Sequence, residues 1–286
     1  MGTRKANPII ILHGGAGVFE YLDTSKQSYR DALSHITKKS YQLLLFAGAR
    51  LAVLQAVRML EDAPIFNAGT GSKLQSDGVA RMTASIMDSE ENSFSGVLNI
   101  QDVQHPIDVA DMLSHEESTV LAADEATMYA RSKGLPYHSP VTEMRLREYN
   151  RKLSGAFGTV GAVALDRRGI IAAATSTGGR GHEMPGRVSD SATVAGNYVT
   201  KKAGVSCTGI GEHIVNHATA ARVAVRVEDG MSLEEAVTIT IKEANSRQYS
   251  LALIAVDSSG HAMTGITQGL ELIYAQYDGS RLTCFV

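Results

Sequence analysis

The sequence is short of the residues that anchor several classes of protein. Cysteine occurs only at Cys207 and Cys284 in 286 residues. That excludes a disulfide framework and points to a reducing, cytoplasmic setting. No stretch approaches the about 18 apolar residues that a membrane span requires. The longest, residues 43–49, reads as a piece of buried helix. An excess of basic charge is also missing. Lys and Arg number 27 against 30 Asp and Glu, a formal net charge of −3, whereas a nucleic-acid surface needs a basic surplus. The start, Met1-Gly2-Thr3-Arg4-Lys5, runs towards a strand with neither an apolar leader segment nor a small-residue cleavage site. The patterns C-x-x-C, H-E-x-x-H, G-x-x-x-x-G-K-S/T and G-x-S-x-G are absent, which argues against redox, zinc-peptidase, P-loop and serine-elbow chemistry.

What remains is globular composition, 44% hydrophobic and 20% charged, with room for one large domain or two modest ones. Glycine is abundant, at 27 residues against 6 prolines, and falls in tight clusters. Residues 8–12 predict a buried strand that ends at His13-Gly14-Gly15-Ala16-Gly17, a tight turn or a phosphate cradle without a dinucleotide fingerprint. Residues 25–60 predict helices, with Leu51, Val53, Leu54, Ala56, Val57 and Leu60 as an apolar stripe. A strand pair is expected over 79–88 and 95–100, then helix from 106 to about 132. Residues 134–154 are polar and read as irregular or marginally helical, with no clear apolar face. Thr159 to Leu165 and Ile170 to Thr177 predict a hairpin turned at Asp166-Arg167-Arg168-Gly169, and residues 251–266 predict a second hairpin that closes the chain. Between the hairpins lie two helices. One starts near Glu212 with Ile214, Val215, Ala218, Ala221 and Val225 on one face. The other starts at Ser232, where Ser232 and Glu235 form a capping box. Two packed sheets covered by helices fit this order better than alternating strands and helices.

Three clusters in the second half can carry chemistry. Gly158-Thr159-Val160-Gly161 places a threonine at the start of a strand. A threonine hydroxyl needs an adjacent base, and a chain-terminal threonine carries its own α-amine, with a reference pKa of about 7.7–8.0. Exposing that amine means cutting the bond after Gly158, where the glycine offers least obstruction. The dipeptide alone also reads as a plain strand start. Arg187 and Asp190 stand three residues apart after Thr175-Ser176-Thr177-Gly178-Gly179. Such a pair either grips a ligand with a carboxylate and an ammonium or anchors a loop by a salt bridge. Ser206 to Glu212 runs from a strand into a helix N-terminus through Gly209 and Gly211, either an oxyanion-binding turn or a simple glycine-rich connection with Glu212 as a first-turn carboxylate.

Taken in order, these clusters and three earlier runs resemble the plant-type L-asparaginases and isoaspartyl peptidases, which are N-terminal nucleophile (Ntn) hydrolases. The matching runs are Ile11-Leu12-His13-Gly14-Gly15-Ala16-Gly17, Phe66-Asn67-Ala68-Gly69, Ser85-Ile86-Met87-Asp88, Gly158 to Asp166, Ala172 to Gly179, Pro185 to Asp190 and Val205 to Glu212. The resemblance implies an α+β fold, a four-layer αββα sandwich, in a single domain over 1–286. It implies self-cleavage between Gly158 and Thr159 into residues 1–158 and 159–286, assembled as (αβ)₂. Thr159 would be the nucleophile, with Thr177, Thr208 and Asn67 in support. Thr208 and Gly209 would bind the oxyanion, while Arg187 and Asp190, with Gly211 alongside, would hold the substrate. Main-chain oxygens of Leu60, Glu61, Ala63, Phe66, Ala68 and Thr70 would hold a structural sodium ion. No cofactor is expected for catalysis, and neither nucleic acid nor membrane is an expected partner.

The expected reaction is hydrolysis of the β-amide of asparagine or of β-aspartyl dipeptides, with the leaving group chosen loosely. A glycosylasparaginase-type hydrolase and an uncleaved, inactive binding module are the alternatives. Departures from the family pattern are Thr83 before Ala84-Ser85-Ile86-Met87-Asp88, Ser189 for a usual glycine, Glu183 for a frequent lysine, Arg180 after the Thr-Gly-Gly turn, and a short stretch ahead of Gly158. None removes a catalytic group, and Arg180 and Glu183, by narrowing or re-aiming the pocket, bear on substrate choice more than on reaction type.

Overall fold

The computed structural model describes residues 6–17, 25–152 and 158–286. Expectations for residues 1–5, 18–21 and the short stretch 153–157 lie outside the described residues. β1 (Ile9–Gly17) leads to α1 (Lys26–Ala47), α2 (Ala49–Glu61), β2 (Met82–Asp88) and β3 (Phe94–Ile100), then to α3 (Pro106–Leu113), β4 (Val120–Ala122), α4 (Ala123–Ser132) and α5 (Glu143–Asn150). The second half runs β5 (Val160–Leu165), β6 (Ile171–Thr177), β7 (Asn197–Val199), β8 (Ala203–Gly209), α6 (Gly211–His217), α7 (Thr219–Glu228) and α8 (Leu233–Ser246). It ends with β9 (Leu251–Asp257), β10 (Ala262–Ile266), β11 (Glu271–Tyr277) and β12 (Leu282–Phe285).

Among the described residues the strands form an eight-stranded sheet, β12-β11-β1-β5-β6-β2-β3-β4, and a four-stranded sheet, β10-β9-β8-β7. The fold is α+β. Alternation along the strands divides the core, because successive side chains point to opposite faces. Ile10, Leu12, Ala162, Ala164 and Ala174 pack with Leu33, Val53, Val57 and Leu60 of α1 and α2. Ile11, Val163 and Ala173 from the opposite face meet Val199, Ile254 and Val256 of the smaller sheet. The far face of that sheet, with Val205, Leu253 and Ala255, packs on Val223, Ala224 and Val237 of α7 and α8. Among the described residues no helix is long and apolar enough to cross a membrane.

Several expectations change in the folded chain. β1 does not stop at Leu12. The glycine run continues as strand through Gly17, paired with β11 across a bulge between His13 and Gly15, so it is neither a tight turn nor a phosphate loop. The helix expected over 106–132 is two helices separated by β4, while in the polar stretch after it the marginal helix is the alternative that forms, as α5. Phe46, inside the supposedly buried 43–49 run, is 89% exposed, and Leu51 also faces solvent. The hairpin over 251–266 is present as β9 and β10, but β11 and β12 follow and close the chain. The capping box at Ser232 and Glu235 forms as expected. The helix near Glu212 breaks at Ala218, which takes φ 50 and ψ 45. That break resets the helical phase, so Val215, Ala218 and Val225 are exposed while Ile214, Val223 and Ala224 are buried.

Candidate active site

The β5–β6 hairpin sets the first relationship. Its register pairs Val160 with Ser176, so the next pair outward is Thr159 with Thr177. Both threonines are buried. Thr177 Oγ1 accepts from the Gly179 main-chain N–H at 3.1 Å, which fixes the turn after β6.

Asn67 locks that turn to the loop after α2. The Gly178 N–H donates to the Asn67 carbonyl at 2.9 Å, and Asn67 Nδ2 donates to the Gly179 carbonyl at 2.6 Å. Asn67 Oδ1 accepts from the Lys73 N–H at 2.8 Å. Removing this side chain would leave two main-chain groups unpaired, at a cost of about 1–3 kcal/mol for each that stays buried. Gly158 lies against the same amide. A Cβ there would come within 2.7 Å of Asn67 Nδ2 and 3.0 Å of the Gly179 oxygen.

The loop itself is held from two sides. Glu61 is fully buried, and its Oε1 accepts from the Ser176 hydroxyl at 2.6 Å and the Ile107 N–H at 3.2 Å. Burial pushes the Glu61 carboxyl well above its ordinary pKa, against the pull of the Ser176 hydrogen bond. Arg145 of α5 donates to the carbonyls of Gly71 at 2.5 Å and Phe66 at 3.1 Å, and to Glu148 through Nη1. A guanidinium therefore sits among the loop oxygens.

The opposite wall comes from β8 and the residues after β6. Thr208 Oγ1 is buried and has no hydrogen-bond partner among the described residues, so its hydroxyl is available as a donor. Gly211 approaches Asp190 so closely that a Cβ would lie 2.7 Å from Asp190 Oδ1 and 2.6 Å from Ser189 Oγ. Asp190 is buried. Ser189 donates to its Oδ1 at 3.0 Å, and Oδ2 has no partner among the described residues. Burial raises the Asp190 pKa to about 6, with the Ser189 hydrogen bond and the Arg187 charge opposing the shift. The serine that departs from the family pattern thus tunes this carboxylate.

Arg187 does not pair with Asp190. Its Nε and Nη2 reach Glu212 Oε1 and Oε2 at 2.6 and 2.8 Å, a bidentate pair. That bond comes first among the causes that draw the Glu212 pKa down to about 2. Glu212 is therefore the partner of Arg187 as well as a first-turn carboxylate. Behind Thr159, His13 Nε2 and Ser206 Oγ are 2.9 Å apart, and Ser206 Oγ meets Thr175 Oγ1 at 2.7 Å. Burial lowers the His13 pKa to about 3, so the ring is neutral near pH 7.

One cavity of about 240 Å³ collects Gly158, Thr159, Thr177, Arg187, Asp190, Gly209 and Gly211 on its walls. Asn67 and Thr208 are not among the residues that line it. Asn67 stands behind Gly158, and Thr208 is fully buried next to Gly209. Leu60, Glu61, Ala63, Phe66, Ala68 and Thr70 are also off the wall. Four of their carbonyls already accept hydrogen bonds: Leu60 from Ala63, Glu61 from Thr70, Ala63 from Phe66 and Phe66 from Arg145. Leu60 also takes the Asp62 N–H, while the Glu61, Ala63 and Phe66 oxygens each keep a second lone pair, and carbonyl oxygen is a suitable donor for a hard cation. Of the departures, Arg180 lines the cavity, Glu183 Oε1 accepts the Arg180 N–H at 3.0 Å, and Thr83 pairs with Thr177 across the β2–β6 ladder. Lys73, also on the wall, and Arg145 were invisible to sequence reasoning. The only signal for Lys73 is a charged side chain beside the small turn residues 69–72, and Arg145 lies in a polar helix with no local signal at all.

A threonine nucleophile candidate, a guanidinium and a buried carboxylate around one small cavity suit a hydrolase of amino-acid amides. A sequence profile described as asparaginase matches residues 6–283, and the chain belongs to that family. It is 41% identical over 280 residues to an isoaspartyl peptidase/L-asparaginase of Synechocystis, covering 91% of this chain and 85% of the relative. It is 35% identical over 281 residues to an isoaspartyl peptidase of Salmonella typhimurium, covering 88% and 90%. A plant-type L-asparaginase of Pyrococcus horikoshii is 34% identical over 278 residues, again covering 88% and 90%.

Proposed function

We propose that the chain is a self-processing amidohydrolase that cleaves the β-amide of L-asparagine and the isopeptide bond of β-aspartyl dipeptides. The observation that carries this reading is the shared cavity: Thr159 faces the same small space as Arg187 and Asp190, in a chain of the asparaginase family. The fold proposed is the four-layer αββα sandwich of Ntn hydrolases, and three apolar clusters support it, two between helices and a sheet and one between the two sheets. Cleavage between Gly158 and Thr159 yields residues 1–158 and 159–286, which assemble as (αβ)₂. Two free thiols, one of them buried, support a reducing cytoplasmic home.

In the mechanism, Arg187 reads the substrate α-carboxylate and Asp190 the α-ammonium, which leaves the β-carbonyl at Thr159. Thr159 Oγ attacks that carbon while the α-amine of the same residue takes the hydroxyl proton. Negative charge on the carbonyl oxygen meets the Gly209 N–H at the cavity wall and, from just behind that wall, the Thr208 hydroxyl, which has no hydrogen-bond partner among the described residues. The Thr159 ammonium then returns its proton to the leaving nitrogen, and the C–N bond breaks. Water attacks the acyl-enzyme with the amine again as base, releasing aspartate. Thr177 supports the nucleophile by fixing the adjoining turn. A sodium ion held by main-chain oxygens of residues 60–70 would stiffen the loop that carries Asn67, and takes no part in the bond changes.

Intact-mass measurement of purified protein, followed by assays on asparagine, β-Asp-Leu, α-Asp-Leu and a glycosylated asparagine, tests the reading. Two fragments split after Gly158, with β-Asp-Leu and asparagine hydrolysed and α-Asp-Leu refused, are expected. An intact chain that nevertheless turns over substrate would overturn the mechanism, and preference for the glycosylated substrate would replace the substrate class. An intact, inert chain would mark a binding module instead.

A further inference from the structure

Ser189 stands where the family pattern has a glycine, and the reaction proposed above gives its hydroxyl no contact with substrate. It lines the cavity beside Asp190 and Gly211. Its Oγ donates to Asp190 Oδ1 at 3.0 Å, and among the described residues no group donates to it in return. A serine hydroxyl has one hydrogen and two lone pairs. With the hydrogen committed to Asp190, Oγ offers the cavity lone pairs alone. It can receive a donor and has nothing to give a carboxylate.

The neighbouring oxygens decide which donor fits. Asp190 Oδ1 and Ser189 Oγ lie 2.7 and 2.6 Å from the point where Gly211 would carry a Cβ. The two oxygens thus flank the space that Gly211, also on the cavity wall, leaves open. Asp190 Oδ2 lies elsewhere, 2.6 Å from where Gly196 would carry a Cβ, and Gly196 is not among the residues that line the cavity. Only one oxygen of the buried carboxylate therefore borders the open space. An ammonium brings three N–H donors in one compact head. Asp190 Oδ1, which already accepts from Ser189, cannot satisfy them alone, and a donor left unmet in a closed site costs affinity.

We propose that Ser189 Oγ accepts a hydrogen bond from the substrate α-ammonium alongside Asp190 Oδ1, an assignment that rests on the reaction proposed above. Ser189 thereby sharpens the choice of substrates with a free α-amine. The hydrogen bonds run in one direction, from the ammonium to Ser189 Oγ and from Ser189 to Asp190 Oδ1. A methylene in place of the aminated carbon gives Oγ no donor, and a glycine at this position would leave the ammonium to Asp190 alone. The charged groups facing Asp190 are Arg187 from its own loop and Glu212 from α6, with the buried Cys207 thiol of β8 nearby. Burial raises the Asp190 pKa to about 6 against the pull of the Ser189 hydrogen bond, so losing that bond raises it further.

Calorimetric titration of the processed protein with L-aspartate, the product, and with succinate, which lacks only the ammonium, provides the test. Wild type binds aspartate more tightly than succinate. Ser189→Gly, which restores the family residue, weakens aspartate roughly tenfold and leaves succinate within about threefold. Ser189→Ala does the same without the added backbone freedom of glycine. The loss persists at about pH 8, where the carboxylate is ionised in both proteins. Variants that lose both ligands equally, or neither, mark a structural serine and overturn the inference. A loss that disappears by about pH 8 overturns it too, because Ser189 then acts only through the ionisation of Asp190. So does a wild type that binds the two ligands alike, a comparison that needs no variant to fold. The expected discrimination in a protein that hydrolyses neither asparagine nor β-Asp-Leu would defeat the proposed reaction while supporting the ammonium contact.

Discussion

Gly158 and the side-chain amide of Asn67 are packed so closely that a Cβ on Gly158 would stand 2.7 Å from Asn67 Nδ2. The residue before the proposed nucleophile is thus shaped by the loop after α2. Gly158→Ala would have to push Asn67 off the Gly179 carbonyl, with overpacking of about 1–3 kcal/mol. We expect processing slowed by roughly tenfold or more, read by intact mass against time. Thr159→Ala should remain one chain and show no hydrolysis. Normal processing of Gly158→Ala would show that the contact yields without cost.

Arg187→Lys keeps the charge and loses the planar fork. Since Glu212 already occupies Nε and Nη2, the lysine has one ammonium for two carboxylates. KM for β-Asp-Leu should rise roughly tenfold with kcat changed less than about threefold. A fall in kcat at constant KM would place Arg187 in the chemical step instead.

Asp190 must be ionised to hold the substrate ammonium. Its raised pKa of about 6 means that lowering the pH through that value protonates it and weakens binding. The plot of log kcat/KM against pH should therefore steepen below about pH 6, beyond the slope already set by the Thr159 amine. An unbroken slope through that region would remove Asp190 from ammonium recognition.

Glu61 predicts a pH trend in stability. Its carboxyl holds its proton in the folded chain well above pKa 4.5, the ordinary value at which it ionises when unfolded. Between those two values the folded state carries the extra proton, so stability falls as pH rises. Glu61→Gln has no proton to lose. The Tm of the variant relative to wild type should climb with pH from about 4.5 upward, and a flat difference in thermal melts would contradict this assignment.

Replacing sodium by a large organic cation tests the loop over residues 60–70. Loss of Tm and of activity in parallel is expected from a sodium site. No change in either would show that Arg145, already bonded to the Phe66 and Gly71 carbonyls, supplies all the positive charge the loop requires.

Much of this was legible along the chain because it is encoded locally. The Thr159 hairpin, the Ser232 capping box and the glycine–threonine motifs each depend on residues within a few positions of one another. The Arg187–Glu212 pair does not. It joins a loop to the first turn of α6 across 25 positions, and only packing of the two sheets brings them together. Asp190, the neighbour suggested by spacing, turns instead to Ser189. The phase error after Ile214 has a similar cause: Ala218 adopts a left-handed conformation without the glycine that would have announced it. β11 has no sequence-adjacent partner in the large sheet other than β12, because its second neighbour, β1, lies at the far end of the chain.

The order of the eight-stranded sheet bears on what a cut chain can do. Strands β12, β11, β5 and β6 fall after Thr159, whereas β1, β2, β3 and β4 fall before it. The two sets interleave, with β1 inserted between β11 and β5. A break after Gly158 therefore produces two polypeptides threaded through one hydrogen-bonded sheet, neither of which can leave without dismantling it. Dilution should never separate them, co-purification should survive any condition short of unfolding, and two genes encoding the halves should yield enzyme only when both chains fold together.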